Sequence, residues 1–303
     1  MFYSPNRVKI LNAKAGCGKS FIMLFLVNLI LRKTNKNIIL LITNTKTKVN
    51  QYESIQNDRL LITHKKFFND ISSSAKMFSN DDWIIVVDEA QHISRKNLEA
   101  IFNCFSYSFL FLDIWQVTNE KYETNPTDWE NYLDQLSNND DFLILTSDEN
   151  FRNKSINSTY ENMLSSSSIG EFLNCKNEKI ILLNIENEKD KARISTLLND
   201  DKNWLSTLSI FLEDLKLLIV DFIKSFLSKE KKIIFSKFNN IFNIENKEEI
   251  QVYSEYDLAS FESENMIIFL PKNFRDKNMD IFQKTRILRI LTRAKNNTYF
   301  IFL

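Results

Sequence analysis

The stretch Leu11–Phe21 reads LNAKAGCGKSF and holds two of the three glycines in a 303-residue chain. The rest of the sequence is rich in isoleucine, lysine, asparagine and phenylalanine, as a strongly AT-biased gene would give. Glycine lets the backbone turn with φ > 0 and lets another group approach the main chain closely. Gly16 and Gly18, followed at once by Lys19 and Ser20, complete the pattern A-x-A-G-x-G-K-S over Ala13–Ser20. Ala13 stands where the general pattern has glycine. Such a loop, opening onto a helix, points successive N–H groups at an anion. The amides of Ala13, Lys14, Ala15, Gly16, Cys17 and Gly18 would cradle nucleotide phosphates, with Phe21 following on the first helical turn. Lys19 would add a mobile cation, and the Ser20 hydroxyl would join a Mg²⁺ shell.

A second chemical feature is WIIVVDEAQHI, from Trp83 to Ile93. A buried strand ending in Asp88-Glu89 presents two carboxylates at the edge of a sheet where open α/β domains bind ligands. Asp88 would hold the Mg²⁺, and Glu89 would orient and deprotonate an attacking water. Together with Lys19 and Ser20, the pair predicts hydrolysis of ATP.

These residues need strands and helices to position them. RVKIL (Arg7 to Leu11) reads as a short buried strand before the loop, and Ser20 to Lys33 as a buried helix after it. Further apolar runs follow at Asn37 to Thr43, Arg59 to Thr63, Trp83 to Ala90, Ser108 to Asp113 and Asp141 to Thr146. Runs apolar on both faces, joined by helices, predict a parallel sheet covered on each side. In the second half, strands are expected at 179–185, 231–236, 249–254, 265–270 and 297–303. Helices are expected over Trp204 to Ser228 and Asp280 to Arg293. The length suits two α/β domains, with the boundary placed near Asn150, giving 1–150 and 151–303.

Composition narrows the setting. Cysteines at 17, 104 and 175 and two histidines make no metal-ligand spacing and no disulfide framework, which fits a reducing cytoplasm. No secretory leader is recognisable. The apolar run Phe21–Leu31 is too short to span a bilayer, and the helix expected over Trp204 to Ser228 is broken by charges, so no membrane partner is expected. Lys+Arg and Asp+Glu both number 39, for a formal net charge of zero. Residues 1–50 nonetheless carry nine Lys/Arg and no acid, while residues 120–149 carry nine acids and one lysine. The basic start suits phosphates, of a nucleotide or of a nucleic-acid strand.

The phosphate loop, D-E-A-Q at Asp88–Gln91 and LTRAKNNTYFI near the end together resemble superfamily 1 helicases of the UvrD/Rep type, through nearly the whole chain and in the family's order. The resemblance implies two RecA-like domains with the nucleotide in the cleft between them. It also implies roles for further residues. Thr43 and Asn44 in LLITNTKTKV, and His64 and Phe67 in LLITHKKFF, match segments that touch single-stranded nucleic acid. Asp113 and Gln116 in FLDIWQ match the third motif, with Gln116 sensing the γ-phosphate. Phe151 and Arg152 in LTSDENFRN match the fourth, with Phe151 stacking on adenine. Glu262 matches the fifth, with Glu264 in an alternative register. Arg152 and Arg293 would reach across the cleft to the charge developing on the transferred phosphoryl oxygens.

The chain also departs from the family. Leu112 stands for the glycine before Asp113, and Ala259-Ser260 for a lysine-glycine pair. Only 67 residues separate Ser20 from Asp88, leaving no room for large insertion domains. The expected activity is Mg²⁺-dependent ATP hydrolysis coupled to binding of single-stranded nucleic acid, DNA in preference to RNA, with translocation or unwinding. The alternative is a regulatory ATPase subunit of a larger complex, for example a nuclease-containing antiviral defence system.

Overall fold

The computed structural model describes residues 4–43, 49, 52–64, 82–117, 125–147, 156–175, 177–200, 203–227, 231–235, 249–255 and 263–303. The chain falls into two compact units, Met1–Lys154 and Ser155–Leu303. Each is built on its own six-stranded sheet, and every strand pairing in both sheets is parallel. This is the α/β architecture that the doubly apolar runs predicted.

In the first unit the strands are β1 (Val8–Ala13), β2 (Asn37–Ile42), β3 (Leu60–His64), β4 (Trp83–Asp88), β5 (Tyr107–Leu112) and β6 (Phe142–Ser147). They lie in the order β3-β2-β4-β5-β1-β6. Helix α1 (Lys19–Lys33) sends Met23, Leu26, Val27 and Ile30 into a core shared with Ile38 and Leu40 of β2, Val86 of β4 and Phe109 of β5. Helices α2 (Arg95–Cys104) and α3 (Pro126–Ser137) complete the described helical cover. Asn125 caps α3 by accepting from the Asp128 N–H, with Pro126 in the first turn where its missing N–H costs nothing. The strand order has one consequence for chemistry. Because β5 lies between β1 and β4, the turn after β5 lies between the phosphate loop and the acidic pair.

The second unit contains β7 (Ile180–Leu182), β8 (Asn203–Thr207), β9 (Lys232–Phe235), β10 (Glu249–Ser254), β11 (Ser263–Leu270) and β12 (Ala294–Phe302). Their order is β7-β12-β11-β8-β10-β9. Its helices are α4 (Ile156–Ser165), α5 (Ile169–Asn174), α6 (Glu188–Asn199), α7 (Leu212–Phe226) and α8 (Ile281–Leu291). Leu215, Ile219 and Ile223 of α7 pack with Ile194 of α6, Val252 of β10 and Ile267 of β11. Gly170 in α5 lies where a Cβ would come 3.0 Å from the Arg275 carbonyl, which accepts the Gly170 N–H at 2.8 Å. That close approach accounts for the one glycine outside the phosphate loop.

One expected element is corrected. The helix read over Trp204 to Ser228 begins only at Leu212, and Asn203–Thr207 is instead a central strand between β11 and β10. Tertiary pairing decides the matter. Ser206 and Thr207 are buried, and their hydroxyls donate to the carbonyls of Tyr253 (3.1 Å) and Phe269 (2.8 Å) on the flanking strands. The last helix keeps nearly its expected span, opened by a capping box between Asp280 and Gln283. No helix among the described residues is long and apolar enough to cross a membrane.

Candidate nucleotide site

The loop after β1 has the geometry its glycines predicted. Gly16 and Gly18 have φ of 86° and 83°, a region costly for any residue with a Cβ. Gly18 is the N-cap of α1, no side chain caps that end, and the first turn carries no acid. The unsatisfied N–H groups and the positive end of the helix dipole are thus left for an anion. Ala13, Ala15 and Cys17 are buried, whereas Phe21 is 76% exposed. Burial pushes the Cys17 thiol above its ordinary pKa, an effect that Lys19 partly opposes; the thiol is therefore not set up as a nucleophile.

Lys19 is turned inward. Its Nζ donates to the carbonyls of Ala13 (2.5 Å) and Lys14 (3.2 Å), and lies 3.6 Å from Asp113 Oδ2. Asp113 caps the short 3-10 turn Ile114–Gln116, its Oδ1 accepting from the Trp115 N–H at 3.1 Å. Its Oδ2 accepts from Gln116 Nε2 at 2.9 Å. Burial raises the Asp113 pKa most strongly; Lys19 opposes this and the nearby Glu89 adds to it.

At the neighbouring strand end, Asp88 is the last residue of β4, in register with Ile42 of β2 and Phe111 of β5, and is buried. Glu89 follows with φ 56°, the one non-glycine residue with positive φ among the described residues. A side chain held in the left-handed region costs about 1–3 kcal/mol, and such positions cluster at functional sites. Thr43 and Gln91 both bond to this turn. The Thr43 hydroxyl donates to the carbonyls of Asp88 (2.9 Å) and Glu89 (2.6 Å). Gln91 Nε2 donates to Glu89 Oε2 at 2.7 Å, while Gln91 Oε1 accepts from the Asp113 N–H at 3.1 Å.

The structure therefore brings together Lys19, Glu89 and Gln116, with Asp113 and Gln91 between them. Gln91 was legible only as the last letter of D-E-A-Q, and its bridging role was missed. Thr43, expected at a nucleic-acid strand, is fully buried and spends its hydroxyl on the acidic turn. His64 ends β3 and is half-buried. In the second unit, Arg293 is buried between α8 and β12, its N–H donating to the Ile290 carbonyl and its carbonyl accepting from Ser263. Glu264, the alternative fifth-motif acid, accepts from Asn296 Nδ2 at 2.9 Å. Asn44, Phe67, Phe151, Arg152 and Glu262 lie outside the described residues.

Among the described residues no group of three His, Cys, Asp or Glu side chains could hold a metal ion. The Ser20 hydroxyl and the buried Asp88 carboxylate are hard oxygen donors, of the kind Mg²⁺ takes when phosphate oxygens and water complete its shell. The donor set fits that ion.

No protein family and no curated protein matches the chain by sequence. Among solved structures, it is similar to the arterivirus nonstructural protein 10 helicase in complex with DNA, with a TM-score of 0.50 and 10% identity. That match covers 97% of this chain and 60% of the helicase chain, so the sequence spans less than two thirds of that relative. The NS3-like helicase from Alongshan virus aligns at TM-score 0.49 and 11% identity, over 96% of this chain and 72% of its own. The likeness to the arterivirus structure extends to the fold, two parallel α/β units in one chain.

Proposed function

We propose that this chain is a Mg²⁺-dependent ATPase of the superfamily 1 helicase type, similar to the UvrD/Rep group, that couples ATP hydrolysis to binding of single-stranded nucleic acid. The observation that carries the reading is the junction at the carboxyl ends of β1, β5 and β4. There the glycine loop with Lys19 is joined to the Asp113–Gln116 turn by an ion pair, and that turn to the strained Asp88–Glu89 turn by the hydrogen bonds of Gln91.

In this reading the loop amides and Lys19 hold the β- and γ-phosphates, Lys19 exchanging Asp113 for phosphate oxygens. Ser20 and Asp88 hold the ion, which when bound neutralises charge on the phosphates. Glu89 takes the proton of the attacking water, and Gln116 senses the γ-phosphate. Arg293 of the second unit and Arg152, just before that unit begins, reach the same phosphate, so that hydrolysis removes a bridge between the units and drives translocation. The basic first 50 residues and the DNA bound by the arterivirus helicase support a nucleic-acid partner. DNA is the preferred substrate.

The test is steady-state ATP turnover with and without single-stranded DNA or RNA. Stimulation of tenfold or more by an oligonucleotide supports the reading, and absence of turnover with Mg²⁺ under every condition overturns it. Zero net charge and the short spacing from Ser20 to Asp88 favour a second reading, a regulatory ATPase subunit whose turnover responds to a protein partner such as a nuclease.

A further inference from the structure

Gln91 is fully buried, two residues beyond Glu89 in the 3-10 turn Ala90–His92. Both ends of its side-chain amide are engaged, and the chemistry of the partners fixes its orientation. Glu89 Oε2 can only accept from it and the Asp113 N–H can only donate to it, so the amide nitrogen must face Glu89 and the oxygen Asp113. The reverse orientation would set oxygen against oxygen and hydrogen against hydrogen. A glutamine is therefore matched at both ends without carrying charge or needing a proton from solution.

We propose that Gln91 is a positioning residue for Glu89: it aims the carboxylate by gripping one oxygen, and it ties that grip to the turn holding Asp113 and Gln116. The inference rests on the reading of Glu89 as general base. Glu89 sits on a backbone in the left-handed region, where small changes in the turn swing the side chain widely. Through Asp113, the same chain of contacts reaches Lys19. Entry of a phosphate at Lys19 and alignment of the carboxylate at Glu89 thus become one event, with Gln91 as the link.

The test uses single-turnover hydrolysis and nucleotide affinity of the full chain. Gln91→Met keeps the length and removes both bonds; Gln91→Glu keeps the acceptor for Asp113 but sets a second carboxyl against Glu89, so that the two repel or share one proton and Glu89 is no longer a free, aimed carboxylate. Each should slow hydrolysis about 10–100-fold while nucleotide Kd stays within about threefold. Glu89 and Gln91 act as a unit, so Gln91→Met in a Glu89→Gln background should slow the residual rate less than about threefold. A role confined to stability predicts the opposite, equal losses in both backgrounds, and that result overturns the proposal. So does a folded Gln91→Glu protein with hydrolysis within threefold of the wild type. If Gln91→Met does not fold, Gln91→Glu decides alone. A wild-type chain without turnover is recognised before any variant is made, and overturns the base assignment and this proposal together.

Discussion

Lys19 and Asp113 form an ion pair of 3.6 Å in the interior of the first unit, their side chains 8% and 1% exposed. The lysine proposed to meet phosphate is held by a carboxylate from the turn after β5, the strand beside β1. Lys19→Ala should abolish turnover while the chain stays folded. Breaking a buried pair costs about 3–5 kcal/mol when the survivor remains charged, but Asp113 can escape by taking a proton, since burial already raises its pKa. A carboxyl whose folded pKa exceeds its unfolded one adds full stability below the unfolded pKa and loses it as pH rises through the folded value. The deficit of Lys19→Ala should therefore be larger at pH 8 than at pH 5, as read by denaturant titration. An equal deficit at both would contradict a buried, proton-accepting Asp113.

Glu89→Gln should bind ATP and hydrolyse it about 10²–10⁴-fold more slowly, because it keeps the shape and loses the base. A single-turnover loss below threefold would remove Glu89 from that role. Its backbone gives a separate expectation. With φ at 56°, Glu89→Gly should be more stable than Glu89→Ala by about 1 kcal/mol. That inverts the usual order of the two residues, and thermal melts of the inactive pair would reveal it.

Thr43→Val keeps the side-chain shape and withdraws a hydroxyl from the carbonyls of Asp88 and Glu89. The buried acceptors lose a partner, for a cost of about 1–3 kcal/mol, and hydrolysis should fall along with stability. Thr43→Ser, which retains the hydroxyl, should recover most of both. Recovery of stability without recovery of rate would separate the acidic turn from catalysis.

The Arg293 N–H donates to the Ile290 carbonyl and its carbonyl accepts from Ser263, bonds that a change of side chain retains. Arg293→Ala should lower turnover about 10³-fold and nucleotide affinity less than tenfold, because the proposed contact tightens in the transition state. A loss confined to affinity would place the guanidinium on the ground-state nucleotide instead.

The glycine turn and the acidic strand end were legible because their geometry is local: Gly16, Gly18 and Lys19 need only their neighbours and a helix. The parallel sheets were legible because β2 and β4 are apolar on both faces. What stayed hidden depends on partners distant in sequence. Residues 203–207 run into an apolar helix with no glycine or proline between them, so only pairing with β10 and β11 marks them as a strand. In sequence Thr43 reads as a nucleic-acid contact and Gln91 as the last letter of D-E-A-Q, and neither reading shows the bonds these side chains make. Their roles come from the Asp88–Glu89 turn, 45 and 46 positions from Thr43, and from Asp113, 22 positions from Gln91.

The order β3-β2-β4-β5-β1-β6 also sets a schedule for the ribosome. Of the described strands β1 is made before the others, yet both of its neighbours come late: Val8 pairs with Ser108 on one side and with Phe142 on the other. At about 5–20 residues per second, some 5–20 seconds pass before β5 is synthesised, and longer before β6. Throughout that interval the strand leading into the phosphate loop has neither of its sheet neighbours. The Lys19–Asp113 contact, on which the proposed site depends, can thus form only after translation has passed the D-E-A-Q segment and the Asp113 turn. A nascent chain stalled before residue 108 should not be retained on an immobilised nucleotide, whereas one stalled after the whole first unit has left the exit tunnel should be.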